Sequence, residues 1–228
     1  MKLQGATVRV TGANRGLGLA LARAALERGA REPEQVKLAG VVPLRLDLLD
    51  EASVAQAARR CDDVTLVVNS AGIASVASLL DAEGAASMRQ HLETNFFGML
   101  RVSQQFAPVL RHNAGGALLN VLSVVSFINS PVFSAYSVSK TAAWGLTNAL
   151  RNELGPEGTQ VLALQVGFID TDLVQGCDIA ETVPEVVAAR AFDALESDAS
   201  EVMADEGSQQ VKARLSAISA PYLEPTGS

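Results

Sequence analysis

Short apolar runs that alternate with longer helical patterns constrain the fold of this chain more than any other feature. The apolar runs, rich in valine and leucine, are 7–10, 41–46, 64–68, 117–122 and 161–166. The helical patterns between them are 17–28, 51–60, 85–111 (two helices in succession) and 136–154. Such alternation is typical of parallel β-α-β units, and near-continuous apolar strands are typical of a sheet covered on both faces. The sequence therefore predicts an α/β fold with a doubly wound parallel sheet flanked by helices on both faces.

The end of the chain continues the pattern once more. A further helix follows Pro184 and runs to Leu195, and a short strand is predicted around 201–204. Residues 219–228 contain proline and glycine and are expected to form a loose tail. Because 228 residues, 48% of them hydrophobic, can bury one full core, we expect a single domain over 1–228.

Composition excludes several kinds of function. The net charge is −7, and without a basic block it argues against nucleic acid and anionic membranes as partners. Cys61 and Cys177 stand far apart, and His91 and His112 form no cluster with carboxylates, so neither disulfides nor a metal site are predicted. The N-terminus leaves no room for a signal peptide, and the stretch 117–128 is too short to span a bilayer. A soluble, cytoplasmic protein is expected.

A glycine-rich loop follows the first predicted strand and precedes the first predicted helix. It reads Thr11-Gly-Ala-Asn-Arg-Gly-Leu-Gly18. Glycines at positions 12, 16 and 18 let the backbone turn tightly and approach a pyrophosphate. The charge of a pyrophosphate is stabilised at a helix N-terminus. An ordinary tight turn is the alternative, but the position between strand and helix favours a phosphate cradle.

A tyrosine and a lysine stand four residues apart on a predicted helix, and a serine precedes the tyrosine by 13 residues. They are Tyr136, Lys140 and Ser123. Positions four apart share one helix face. Lowering a tyrosine pKa from about 10 to roughly 7 takes about 4 kcal/mol, which one cation at ~4 Å supplies if the effective dielectric is ~20. The pattern therefore indicates proton transfer in a partly closed pocket, although a half-buried Tyr beside a solvated Lys has the same spacing.

Taken in chain order, these motifs resemble the short-chain dehydrogenase/reductase family. The glycine loop is followed by Asn69-Ser-Ala-Gly72, by Asn95 and by the Ser-Tyr-Lys set, so the resemblance covers nearly the whole chain. It implies a Rossmann-type fold and a nicotinamide cofactor. Two positions depart from the family pattern: Ser70 replaces a second Asn, and Val166 replaces the Pro before Gly167.

The resemblance also implies the role of each motif. Asn69 and the turn at Ala71 and Gly72 would brace the central strand, Asp47 would contact the adenine, and the segment 167–171 would hold the nicotinamide carboxamide. The implied cofactor-binding residues are Gly12, Asn14, Arg15, Gly16, Leu17, Gly18, Asp47, Leu48, Asn69, Ala71, Gly72, Tyr136, Lys140, Gly167, Ile169 and Thr171.

The implied mechanism is hydride transfer between NAD(P)H and a carbonyl carbon, reversible for alcohol oxidation. Tyr136 would give its proton to the oxygen, and Lys140 would lower the pKa of Tyr136 and bind the nicotinamide ribose. Ser123 would donate a hydrogen bond to the substrate oxygen. Asn95 would hold a water that connects Lys140 to solvent.

One part of the pattern does not fit. Only eleven residues, 30–40, separate the first helix from the next strand, where a second strand and helix are required; they predict one short helix instead. Either the sequence lacks residues that the natural protein has, or the deletion is genuine and the sheet is rearranged. We favour the first, because an open slot beside the central strand leaves backbone groups unpaired. An intact mass of 23.8 kDa would contradict it.

Three further expectations concern ligands and partners. Arg15, and Arg31 if a strand precedes it, favour NADP over NAD, although both could be solvated surface charges. Apolar residues near the tyrosine suggest a hydrophobic ketone, aldehyde or alcohol as the small-molecule substrate: Val124, Val125, Phe127, Phe133 and Phe168. Family resemblance implies a homodimer or homotetramer formed through the helices over 95–111 and 136–154.

Two other functions stay open at this point. A cofactor-binding or sensing protein on the same scaffold, without dehydrogenase activity, is the main alternative, and the apparent loss of a strand favours it. The complete Ser-Tyr-Lys-Asn set favours the enzyme, since a pure binder has no chemical need of Tyr136. Epimerisation or dehydration is disfavoured by the glycine spacing, which resembles that of the reductases.

Overall fold

A five-stranded parallel sheet forms the centre of the computed structural model, which describes residues 1–30, 44–76, 78–167 and 182–223. Its strands lie side by side in chain order. They are β1 (Val8–Val10), β2 (Leu66–Asn69), β3 (Gly116–Val121), β4 (Thr159–Gln165) and β5 (Glu201–Met203). All four neighbouring pairs are parallel, which places the carboxyl ends of the strands at one edge.

Helices cover both faces of the sheet, as the sequence predicts. They are α1 (Gly16–Glu27), α2 (Glu51–Arg60), α3 (Gly84–Leu92), α4 (Gly98–His112), α5 (Ser134–Leu154), α6 (Pro184–Glu196) and α7 (Glu206–Arg214). One apolar cluster joins α1 and α6 to the sheet, with Leu21 and Phe192 fully buried. A second joins α2, α4 and α5 to the other face, with Val54 and Phe106 fully buried. The doubly wound α/β arrangement is confirmed. None of the helices within the described ranges is long and apolar enough to cross a bilayer.

The long helical pattern over 85–111 is interrupted by a π turn at Glu93–Phe97, between α3 and α4. Helix α7 is not predicted by the sequence, because the stretch Glu206–Arg214 is too polar to show an apolar stripe. It begins instead with a capping box formed by Asp205 and Ser208. The tail expected to be loose is partly anchored, because Ala220 and Pro221 are buried. Residues 224–228 lie outside the described part of the chain.

The strand predicted over 41–46 is wrong for its described residues, 44–46, which are in no strand. Leu44 and Leu46 pack against the second apolar cluster, so their spacing reflects burial. The guanidinium of Arg9, rather than a backbone amide, donates to the Leu44 carbonyl at 3.5 Å. Among the described strands, β1 pairs only with β2. Residues 31–43, and with them Arg31 and the gap where a second strand is expected, lie outside the described residues.

Candidate active site

The predicted site residues meet at the carboxyl edge of the sheet, because each motif follows directly after a strand. The glycine loop follows β1, Asn69 ends β2, Ser123 follows β3 and Gly167 follows β4. Loops at this edge are where open parallel sheets bind their ligands.

The glycine loop has a conformation that other residues adopt poorly. Gly12 and Gly16 have φ angles of +69° and +52°. A Cβ on Gly18 would lie 2.3 Å from the carbonyl oxygen of Gly12, so a side chain there would push the loop apart. The side chain of Leu17 is buried in the core, which leaves only its backbone facing the loop. Asn14 is exposed.

The amino end of α1 is prepared for an anion. Its N-cap residue, Arg15, has an extended backbone and forms no side-chain cap, and the first turn contains no acidic residue. The first amide groups of a helix have no intrahelical partner and carry a partial positive charge. The loop and this helix end together fit the pyrophosphate of a dinucleotide.

Thr11 fastens the glycine loop to the turn after β2. Its hydroxyl accepts hydrogen bonds from the amides of Ser70 at 3.0 Å and Ala71 at 3.1 Å. A Cβ on Gly12 would lie 2.9 Å from the Cα of Ala71, so the two backbones are in direct contact. Ser70 contributes through its backbone, which explains why its departure from the family pattern leaves this contact intact.

Asn69 braces the sheet from within. Its side-chain amide donates to Asn120 Oδ1 at 2.9 Å, and Asn120 donates to Thr147 on α5 at 3.0 Å. Both asparagines are buried. This chain of hydrogen bonds links β2, β3 and α5, so Asn69 acts on the site through the scaffold.

The π turn places Asn95 against the loop that follows β2. Asn95 Oδ1 accepts from the amide of Ile73 at 2.8 Å, and Nδ2 donates to the Ile73 carbonyl and to Ser139 Oγ, both at 2.9 Å. π turns are often found at functional sites because the additional residue alters side-chain direction. A Cβ on Gly72 would lie 3.0 Å from Asn95 Oδ1 and 3.9 Å from Lys140 Nζ, so these three residues are close neighbours. The water expected beside Asn95 stays a prediction.

Ser123, Tyr136 and Lys140 come together as predicted. The hydroxyl of Ser123 lies near the phenol of Tyr136 and lowers its pKa, although less than burial raises it. Lys140 Nζ donates to the carbonyl of Val121 at 2.8 Å and lies 5.7 Å from the centroid of the Tyr136 ring. Ser126 ties the segment after β3 to α5, because its hydroxyl donates to the carbonyl of Lys140 at 3.1 Å.

Burial shifts the pKa of both proton-transfer residues. It raises the pKa of Tyr136, a half-buried residue, to about 12, against a smaller lowering by the nearby Ser123 hydroxyl. It lowers the pKa of Lys140 to about 8. In the protein without cofactor, burial is the largest cause and keeps the pKa of Tyr136 above its ordinary value. The lowering of this pKa by Lys140 in the cofactor complex stays a prediction.

Asp47 and Leu48, which are expected to contact the adenine, lie in a turn held by local hydrogen bonds. Asp47 Oδ1 accepts from the amide of Leu49 at 2.9 Å, and the Asp47 amide donates to Ser53 Oγ at 3.0 Å. The Leu48 carbonyl accepts from Arg101 on α4 at 3.1 Å. The adenine contact itself stays a prediction. Arg101 is not identified by the sequence, because its partner is distant in the chain.

A carboxylate that the sequence analysis misses holds the turn after β4. Asp205 is buried, and its Oδ2 accepts from the amide of Gly167 at 2.6 Å. Its Oδ1 accepts from the amide of Ser208 at 2.8 Å and caps α7. The spacing of Asp205 and Ser208 is the signal that could have revealed the cap, but nothing in the sequence indicates the contact with Gly167. Ile169 and Thr171 lie outside the described residues.

The apolar residues expected around the substrate are only partly placed. Val124 and Val125 are buried next to Ser123. The ring of Phe127 packs edge-on against Trp144 at a centroid distance of 5.1 Å, so it belongs to the packing between the segment after β3 and α5. Phe133 is half-buried, and Phe168 lies outside the described residues.

Comparisons with known proteins agree with this geometry. The family model described as short chain dehydrogenase matches residues 6–181. The chain is 34% identical to Oxidoreductase BOA17 of Botryotinia fuckeliana (strain B05.10), over 85% of this chain and 78% of that protein. It is 33% identical to the galactitol 2-dehydrogenase (L-tagatose-forming) of Cereibacter sphaeroides, over 75% of this chain and 74% of that protein. A short chain dehydrogenase from Burkholderia cenocepacia J2315, solved in complex with NADP, superimposes with a TM-score of 0.89 at 35% identity, covering 95% of each chain.

Proposed function

Because this chain belongs to the short-chain dehydrogenase/reductase family, we propose that it is a nicotinamide-dependent oxidoreductase that reduces a carbonyl group to an alcohol, with Tyr136 as general acid. The observation that carries the proposal is the convergence of Ser123 and Tyr136 beside the buried Lys140. The family resemblance drawn from the sequence is confirmed.

The protonation state of Tyr136 supports the direction of reduction. With a pKa of about 12, its phenol keeps its proton over the physiological range and can give it to a developing alkoxide. Ser123 follows β3 and its hydroxyl lies near that phenol, so a substrate oxygen between the two hydroxyls can accept from both. Two donors aimed at one oxygen stabilise the charge that forms there.

The cofactor we propose is NADP(H), with NAD(H) as the alternative. The glycine loop and the uncapped end of α1 would hold the pyrophosphate, and Lys140 would contact the nicotinamide ribose. When bound, the reduced nicotinamide supplies the hydride that this chain's own residues cannot provide. Exposed Arg15 at the N-cap of α1 and the NADP complex of the relative at 35% identity support the preference.

A pure binding or sensing protein, the alternative left open by the sequence, is less well supported. Such a protein needs the glycine loop, and Lys140 would help it hold the nicotinamide ribose, but it has no chemical need of the Tyr136 phenol beside Ser123. Perturbed titratable groups that converge in one place are typical of catalytic sites. The shifted pKa values of Tyr136 and Lys140 therefore favour the enzyme.

We propose a hydrophobic carbonyl compound as substrate, supported by the buried Val124 and Val125 beside Ser123. A substrate screen should also contain L-tagatose, because one relative at 33% identity is named for forming it. The cytoplasmic location expected from the sequence belongs to the same proposal.

Self-association through α4 and α5 is also proposed, as a homodimer or homotetramer. A groove of about 350 Å³ lies between these helices on the outer surface, with Leu100, Ala107, Leu146 and Ala149 among its lining residues. A Cβ placed on Gly145 would meet nothing within 4 Å, which leaves room for a second helix. Light scattering during size exclusion tests this: a mass of 23.8 kDa would contradict it, and a multiple of that mass is expected.

The first test of the function is a parallel titration with NADPH and NADH. Excitation of Trp144, the single tryptophan, with detection of nicotinamide emission reports binding. Binding of NADPH tighter than NADH is expected. If neither binds, the proposed function fails, and Tyr136 and Lys140 have lost their role.

A further inference from the structure

Arg101 connects two segments that lie on the cofactor side of the sheet. Its Nη1 donates to the carbonyl of Leu48 at 3.1 Å. Its Nη2 forms an ion pair with Glu93, the first residue of the π turn that carries Asn95. The side chain of Arg101 is 24% exposed and that of Glu93 is 44% exposed, so the arginine is largely covered while its ion pair is partly open to solvent. One guanidinium therefore fixes the segment around Leu48 relative to the turn around Asn95.

Packing brings the same two segments together. A Cβ on Gly98 would lie 3.0 Å from Leu48 Cβ and 3.2 Å from its Cδ1, so Leu48 rests on the bare backbone of α4. The absence of a side chain at Gly98 sets how closely the segment approaches. Arg101, one turn further along α4, then holds the Leu48 carbonyl in place.

The other polar contacts of Asp47 are local, whereas Leu44, three residues earlier, accepts from Arg9 of β1 and Leu48 packs against the second apolar cluster. Asp47 bonds to the amide of Leu49, two residues away, and to Ser53 at the start of α2. Such contacts shape the turn but do not fix its position relative to the sheet. Within the described residues, the Arg101 hydrogen bond is the polar contact that joins this turn to α4.

We infer that Arg101 is a positioning residue for the adenosine end of the cofactor site. It sets the height of the Asp47–Leu48 backbone above α4, and with it the surface on which the adenine is expected to lie. The inference rests on the proposed function, because it presupposes that a nucleotide binds at this edge. A lysine cannot replace the arginine, because a single ammonium does not reach two partners in the fixed geometry of a guanidinium.

The test measures binding of ADP-ribose, the part that NADPH and NADH share, by isothermal titration. Arg101→Met is expected to raise its Kd about tenfold, the effect of one charged hydrogen bond. The KM for NADPH should rise by a similar factor while kcat at saturating NADPH stays within about twofold. A merely structural role would lower kcat and thermal stability together and would not separate KM from kcat.

Arg28→Met is the matched control. Arg28 is 25% exposed, pairs with Asp193 and Glu196, and donates to the carbonyl of Ala189 at 3.1 Å. Its substitution thus removes a comparable set of contacts at the C-terminal end of α1, away from the edge of the sheet where the cofactor is expected. We expect its Kd for ADP-ribose to equal that of the unmodified protein.

The binding results separate a failure of the Arg101 inference from a failure of the proposed function. If the unmodified protein binds ADP-ribose and Arg101→Met binds it equally well, the inference is overturned. If the unmodified protein binds neither ADP-ribose nor NADPH, the proposed function fails first. Should Arg101→Met not fold, Arg101→Lys, which keeps the charge, is expected to show the same rise in Kd; unchanged binding there also overturns the inference.

Discussion

Lys140 Nζ donates a 2.8 Å hydrogen bond to the carbonyl of Val121, the last residue of β3, while it lies 5.7 Å from the ring centroid of Tyr136. The lysine is therefore anchored to the sheet rather than to the tyrosine. Burial is the largest cause of both pKa shifts, raising the pKa of Tyr136 and lowering that of Lys140. The same lysine retains further N–H donors for a ligand.

The first prediction concerns pH. The pKa of Lys140 is lowered to about 8, so its ammonium is fully present below that pH and is lost as the pH rises through it. Tyr136, at about 12, keeps its proton throughout. We expect kcat/KM for the cofactor in the direction of reduction to be level from about pH 6 to 7 and to fall through about 8. This ratio reports the free protein. A profile that rises across pH 8 would contradict the account.

A second prediction concerns the glycine loop. Gly18→Ala would place a Cβ 2.3 Å from the carbonyl of Gly12, against backbone that cannot yield cheaply. We expect at least about 2 kcal/mol lower unfolding free energy and at least tenfold weaker NADPH binding. Gly155→Ala is the control, because nothing lies within 4 Å of the added atom and the backbone there is right-handed helical. It should change the unfolding free energy by less than about 0.5 kcal/mol. Equal NADPH affinity in both variants would contradict the assignment of the glycine loop as the pyrophosphate-binding site.

The third prediction concerns Asp205. Asp205→Ala removes the acceptor for the Gly167 amide and the cap of α7. We expect urea denaturation to show a loss of about 2 kcal/mol. Ser208→Ala removes the hydroxyl that accepts from the Asp205 amide in the capping box but keeps both carboxylate contacts to backbone amides, so its loss should be less than half as large. Equal losses in the two variants would show that the Gly167 contact contributes nothing.

Much of the site could be predicted from the sequence because its residues lie close to local landmarks. The glycine loop follows a strand and opens a helix, and Tyr136 and Lys140 share one helix face. Ser123 follows a strand that is recognisable by its apolar run. Each of these statements depends on short-range pattern, and the structure brings the residues together accordingly.

The remainder depends on contacts between residues far apart in the chain. Arg101 meets Leu48 across 53 positions, and Asp205 meets Gly167 across 38. The hydrogen bond from Lys140 to Val121 is likewise a tertiary contact, and no local pattern in the sequence indicates it. Residues 44–46 show that alternating apolar residues can be buried in the core without forming a hydrogen-bonded strand.

The central claim is that Tyr136 protonates the substrate, and its substitution by Phe tests this most directly. The measurement compares single-turnover oxidation of bound NADPH, with a carbonyl substrate found in the screen, in the unmodified protein and in Tyr136→Phe. Tyr222→Phe, at the other tyrosine, which is exposed, is the matched control. We predict that Tyr136→Phe slows the turnover by at least about 100-fold, while the Kd for NADPH changes by less than about twofold. A turnover rate within tenfold of the unmodified protein would contradict the assignment of Tyr136 as the acid.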